Sequence, residues 1–185
     1  YNIYEFMLVP IVEINRAGST LTTLVDNYTS LQSGAMTMQQ GFAQTIATAE
    51  AMIDQTVNNY DTLYITTGSE PFTNTLRNLG QLALQEREVA AFTAFKESYT
   101  SYKTLHEQFE QTGNLGLVND IVTTLTTANA AWSDLLKVSD EFAALSYQDA
   151  SRSYQQTLTG LFAISILGLI AAIVFGTLIV RSLTG

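Results

Sequence analysis

The side chains best suited to hold a small molecule are few and scattered: Asn15 and Arg16 in one segment, then Tyr28, Tyr99 and Trp132 in three others. Arg16 is the only basic residue before Arg77. A guanidinium presents a rigid fork of donors that matches a carboxylate. Beside Asn15, on the flank of an apolar seam, Arg16 is placed to clamp an anionic ligand across a groove or subunit boundary. The plainer expectation is a surface pair with Glu13. His106 is the only histidine and there is no cysteine, which rules out a His pair for zinc, an HExxH motif, thiolate chemistry and disulfides. The expected setting of His106 is a partly exposed helix position beside Glu107 and Glu110, with a proton switch as its functional reading. Neither GxGxxG nor GxxxxGK[ST] occurs, so no phosphate cradle is indicated. Glu86-Arg87-Glu88 and Asp140-Glu141 read as solvated charged faces rather than acid–base pairs. No catalytic set, metal or cofactor is expected. The sequence reads as a non-enzyme.

Charge is distributed unevenly. Before residue 160 there are seven basic and 17 acidic residues, a formal net charge of −10. Such a surface cannot displace phosphate counterions, so nucleic acid is not an expected partner. From Gly160 to Val180 the sequence GLFAISILGLIAAIVFGTLIV runs 21 residues without a charge. As a helix it would reach about 31 Å, close to the hydrocarbon thickness of a bilayer. The expected organisation is an extracytoplasmic domain over 1–158, a transmembrane helix over 159–181 and the start of a cytoplasmic linker at 182–185. That places the chain in an inner membrane, with lipid as one partner and the N-terminal domain periplasmic or extracellular. The chain opens at Tyr1 without an initiator Met, so whatever delivers the domain across a membrane is expected upstream.

Apolar residues before 158 keep steps of three and four, as amphipathic helices require, and no strand alternation competes. The seams run through Ile14, Leu21 and Tyr28, through Phe42, Ile46 and Ile53, through Val89, Phe92, Tyr99, Leu105 and Phe109, and through Ile121, Leu125, Trp132 and Phe142. Gly and Pro punctuate them at Thr66–Pro71 and at Gly113–Gly116. Unbroken, residues 1–65 would extend nearly 100 Å, roughly half as long again as the stretches 72–112 and 117–158. A reversal at Ser33-Gly34 resolves this. The expected fold is all-α, an up-down-up-down antiparallel four-helix bundle continuing into one transmembrane helix. Measured from the membrane ends of their helices, Tyr28, Phe42, Tyr99 and Trp132 fall at about the same height. They would form an aromatic layer, either plain core or the wall of a ligand pocket.

The arrangement resembles the four-helix-bundle sensor domain of bacterial methyl-accepting chemotaxis receptors. Tyr4-Glu5-Phe6-Met7-Leu8-Val9-Pro10-Ile11 looks like the opening of that family's first bundle helix. Tyr99-Thr100-Ser101-Tyr102 through Thr112-Gly113-Asn114 is similar to its third helix and distal turn, and Val180-Arg181-Ser182-Leu183-Thr184 to the start of a HAMP linker. The resemblance implies a homodimer, a small-molecule ligand and a downstream signalling domain in the same chain. It departs from the family's amino-acid receptors in offering a single arginine, Arg16, on the first helix.

Overall fold

The computed structural model describes residues 3–34, 40–66, 74, 77 and 80–184, with side chains described at 12–34, 42–63, 65, 74, 77 and 80–170. Among the described residues four continuous α-helices carry the chain: α1 (Ile3–Gln32), α2 (Gln40–Tyr60), α3 (Leu82–Thr112) and α4 (Val118–Thr184). A π-helical turn, Asp61–Thr66, extends α2, and a 3-10 turn, Leu115–Leu117, precedes α4. No strand occurs among the described residues. The chain divides into two compact units, Tyr1–Phe142 and Ala143–Gly185.

Glycine sets the helix ends that sequence marked. At Gly34 the backbone turns left-handed (φ 74°) just after α1. At Gly113 it does so again (φ 62°), donating its amide to the Phe109 carbonyl at 2.8 Å. Asn114 then accepts from the Gly116 amide at 2.9 Å and so caps the 3-10 turn that leads into α4. The expected break at Thr66–Pro71 lies almost wholly outside the described residues. The helix that leads to the Gly113 turn begins at Leu82, and Asn74 and Arg77 ahead of it are helical too. Gly80, left-handed at φ 67°, stands where the sequence reading had a continuous helix.

Side-chain pairings within the first unit fix the helix directions. Thr20 meets Met52 and Tyr28 meets Phe42, so α1 and α2 run antiparallel. Tyr60 reaches Glu88 and Glu50 reaches Tyr102, which does the same for α2 and α3. Arg87 with Glu141 and Phe95 with Trp132 orient α3 against α4. Ile14 with Trp132 and Gln32 with Asn119 orient α4 against α1. The core between them holds Ile14, Leu21, Leu24, Ile46, Ile53, Ile121, Leu125 and Leu135, all with no exposed surface.

Trp132 is the largest side chain in that core. Its indole N–H donates to the Ile14 carbonyl at 2.6 Å, and its ring packs on Phe95 at 4.5 Å between centroids. Gly18 lets the indole approach α1: a Cβ there would stand 3.4 Å from Trp132 Cδ1. One methyl fits at ordinary contact, so Gly18→Ala is expected to stabilise by up to about 1 kcal/mol through helix propensity. Gly18→Leu must displace the indole and is expected to cost about 1–3 kcal/mol. Urea midpoints of the two variants check this; a Leu variant as stable as the Ala variant would remove Gly18 from the account.

In the second unit the described side chains run to Ile170. Leu161, Phe162, Ile164, Ile166, Leu167, Leu169 and Ile170 are each more than half exposed, and at helical spacing they occupy every face of the helix. The Ser165 hydroxyl bonds to the Leu161 carbonyl of its own helix at 2.8 Å. Among the described residues no helix is long and apolar enough to cross a membrane. The expected span from Gly160 to Val180 lies in part outside the side chains described.

Candidate functional site

The third helix is the polar spine of the first unit. Its buried positions Leu84, Glu88, Phe92, Phe95, Tyr99, Tyr102, His106 and Phe109 advance in steps of four or three. Two of them, Glu88 and His106, are titratable groups with only 7% of their surface exposed. The sequence reading put Val89 and Leu105 on this seam instead. Val89 is exposed and Leu105 only partly buried. His106 is therefore not the partly exposed residue expected, and within Glu86-Arg87-Glu88 only the first two face solvent.

Around His106 three helices contribute. Tyr28 of α1, fully buried, meets the ring through its hydroxyl at Nδ1. Tyr102, one turn earlier on α3, stacks on the imidazole at 5.9 Å between centroids with 14° between planes. Nε2 faces two carboxylates, Glu110 of the same helix at 3.4 Å and Glu50 of α2 at 3.8 Å. Glu50 also accepts the Tyr102 hydroxyl at 2.7 Å, while its backbone carbonyl accepts that of Tyr99 at 3.4 Å. Phe42 and Phe109 close the cluster edge-on to Tyr28.

Burial dominates the electrostatics. It pushes the Tyr28 phenol well above its usual value; the hydrogen-bond contact with Tyr102 offsets part of this, and the Glu50 and Glu110 charges add to it. Tyr102 is raised further, by burial and then by Tyr28 and Glu50, and Tyr99 is raised by burial and the neighbouring Asp54 and Glu50. All three stay neutral hydroxyls through the physiological range. On the rim Lys103 is bound to Asp54 at 2.8 Å, and that bond raises its pKa.

A second polar pair lies lower in the bundle. Tyr60, the last residue of α2 before the π-turn, donates to Glu88 Oε1 at 2.5 Å. Tyr60 also touches Phe92 and Trp132. Burial raises the Glu88 pKa above the usual 4.5, and the Tyr60 bond pulls back against that shift.

The five residues singled out from sequence do not share a site. Asn15 and Arg16 are exposed on α1. The expected Arg16–Glu13 surface pair does not form: Glu13 Oε2 is buried with no hydrogen-bond partner. Tyr28, Tyr99 and Trp132 are core residues. The aromatic layer expected from Tyr28, Phe42, Tyr99 and Trp132 is split. Tyr28 and Phe42 belong to the His106 cluster, and Tyr99 bridges from Tyr102 to Phe95. Trp132 stands level with Ile14, about 21 Å along α1 from Tyr28. Level helix ends would set Tyr28 beside Trp132; Ile14 stands there instead, so the α1–α4 register is offset by about four helical turns. Among the described residues no group of His, Cys, Asp or Glu is placed to hold a metal ion. No protein-family model, no curated protein and no solved structure matches the chain.

Proposed function

We propose that the chain is the ligand-sensing region of a transmembrane bacterial receptor of the chemoreceptor kind, not an enzyme. The helical unit is its extracytoplasmic sensor and the apolar end of α4 its membrane anchor. The observation that carries this reading is the run Leu161–Ile170. Seven large apolar side chains stand exposed around the whole helix circumference, in an element that begins as a core helix of the bundle. Water penalises such a surface by about 25 cal/mol per Å², and lipid removes the penalty. The Ser165 hydroxyl, turned onto its own helix backbone, suits an environment that offers no other partner. Tyr154, exposed about two helical turns ahead of the run, is of the amphipathic type that favours a membrane interface.

In this reading the proposed membrane helix continues to residue 181, in the inner membrane, and the protein works as a homodimer feeding a signalling domain beyond Gly185. A signal reaches that domain when a ligand favours one disposition of the helices over another, because only a difference in affinity can shift their equilibrium.

Vesicle flotation of the full chain tests the anchor. The wild type is expected to float with phosphatidylcholine vesicles and to resist alkaline extraction. Each Asp near the centre of a membrane helix costs about 2.5–3.5 kcal/mol, so Leu169→Asp with Ile170→Asp is expected to abolish flotation. A double variant that floats as well as the wild type would sink the proposal.

A further inference from the structure

We propose that the ligand read by this sensor is the proton itself, bound at His106, and that its uptake rearranges the contacts of α1 and α2 with α3. The word sensor rests on the function proposed above; the binding site and its response do not.

The hydrogen-bond chemistry around the ring fixes its neutral form. Nε2 faces only the carboxylate oxygens of Glu110 and Glu50, which accept and cannot donate. The neutral ring therefore carries its proton on Nε2. Nδ1 is left bare and accepts the Tyr28 hydroxyl. A second proton has one place to go, and taking it reverses that bond: Nδ1 becomes a donor, and Tyr28 must accept. The Tyr28 proton then turns to Tyr102, whose hydroxyl is bonded both to that of Tyr28 and to Glu50. One proton enters, none leaves, and every donor keeps an acceptor.

The charge change falls between two helices. An imidazolium facing Glu50 on α2 and Glu110 on α3 attracts both, and Glu50 at 3.8 Å has room to close. Glu110 is half exposed and connects the buried ring to solvent. The groups facing the ring are Tyr28 from α1, Glu50 from α2, and Tyr102 and Glu110 from α3. The acidic residue of α4 at that height, Asp120, is exposed in its first turn. Imidazole is the side chain whose charge changes between pH 5 and 8, which suits it to report acidity.

The experiment uses the full chain in detergent micelles. Because His106 is the only histidine, one pair of ring nitrogen signals reports on it. The Nε2–H tautomer is expected at pH 8 and a doubly protonated ring at pH 5. Spin labels at Ala51→Cys and Thr104→Cys, in a chain with no native cysteine, are expected to draw closer by about 1–2 Å between those pH values, the scale of helix shifts in switching proteins. His106→Gln is expected to abolish the change. Glu110→Gln, which keeps the ring, is expected to diminish it. A ring still neutral at pH 5, an unchanged label distance, or a change that persists in His106→Gln would each overturn the proposal. Failure to float with vesicles would instead sink the receptor reading and leave the titration intact.

Discussion

Trp132→Ala is expected to cost the bundle about 3–5 kcal/mol, the range for truncating a buried tryptophan to alanine. A domain of this kind holds about 5–15 kcal/mol in total, so the variant should be near the edge of folding. The size of the effect follows from position. Trp132 is 1% exposed and touches Phe95 and Tyr60 from two other helices, and its N–H reaches the backbone of the remaining one at Ile14. Removing the ring opens a void that four helices border and none can fill without moving. Trp132→Phe separates the contributions. It keeps an aromatic body and loses the indole bond, a net loss of about 1 kcal/mol, plus whatever the smaller ring leaves unfilled. Ile14 is not orphaned, because its carbonyl stays in the helical ladder. Denaturant unfolding followed by circular dichroism measures both; an Ala variant within 1 kcal/mol of wild type would show that the packing here is looser than the contacts indicate.

The residue that dominates the core was visible in the sequence; its neighbours were not. Helices betray themselves by period, and Tyr28, Phe42, Phe92, Phe95 and Tyr99 lie on the seams their spacing announced. The left-handed turns at Gly34 and Gly113 were equally plain, since glycine there needs no tertiary contact to explain it. Gly80 was missed because its surroundings, Leu79 and Leu82, keep helical spacing across it.

Register is a different kind of information. Which residue of α1 stands beside Trp132 depends on where the helices are clamped together. Nothing in the period of one helix encodes its offset from another. Taking the helix ends as level put Tyr28 there; Gly18 held the better clue, because a glycine inside a helix leaves room for a large partner.

Glu88 and His106 were misplaced for a third reason. The steps from Phe92 back to Glu88, and from Tyr102 on to His106, are four residues, as regular as any on the seam. Choosing the nearest apolar residue, Val89 or Leu105, overrode the spacing. Their charge argued for the surface, and the tyrosines that satisfy them, Tyr60 and Tyr28, come from other helices and leave no local trace.

That misplacement makes Glu88 the site of the second large effect, a dependence of stability on pH. Burial raises its folded pKa above the unfolded value near 4.5. The folded state therefore holds the proton more tightly than the unfolded state. The resulting stabilisation is fully present below pH 4.5 and is lost as pH rises through the folded value. Glu88→Gln mimics the protonated acid and keeps an acceptor for the Tyr60 hydroxyl. It is expected to match the wild type at pH 4.5 and to be the more stable protein at pH 8. Glu88→Leu removes that acceptor and leaves a buried hydroxyl unpaired, at a cost of about 1–3 kcal/mol. Its deficit against Glu88→Gln should not vary with pH. Urea midpoints at pH 4.5, 6 and 8 for the three proteins resolve these cases. Every other titratable group is common to the three proteins, so the differences between them isolate Glu88. If Glu88→Gln were less stable than wild type by the same amount at every pH, the Glu88 carboxyl would have the same pKa folded and unfolded, and the burial that defines the site would not be governing its chemistry.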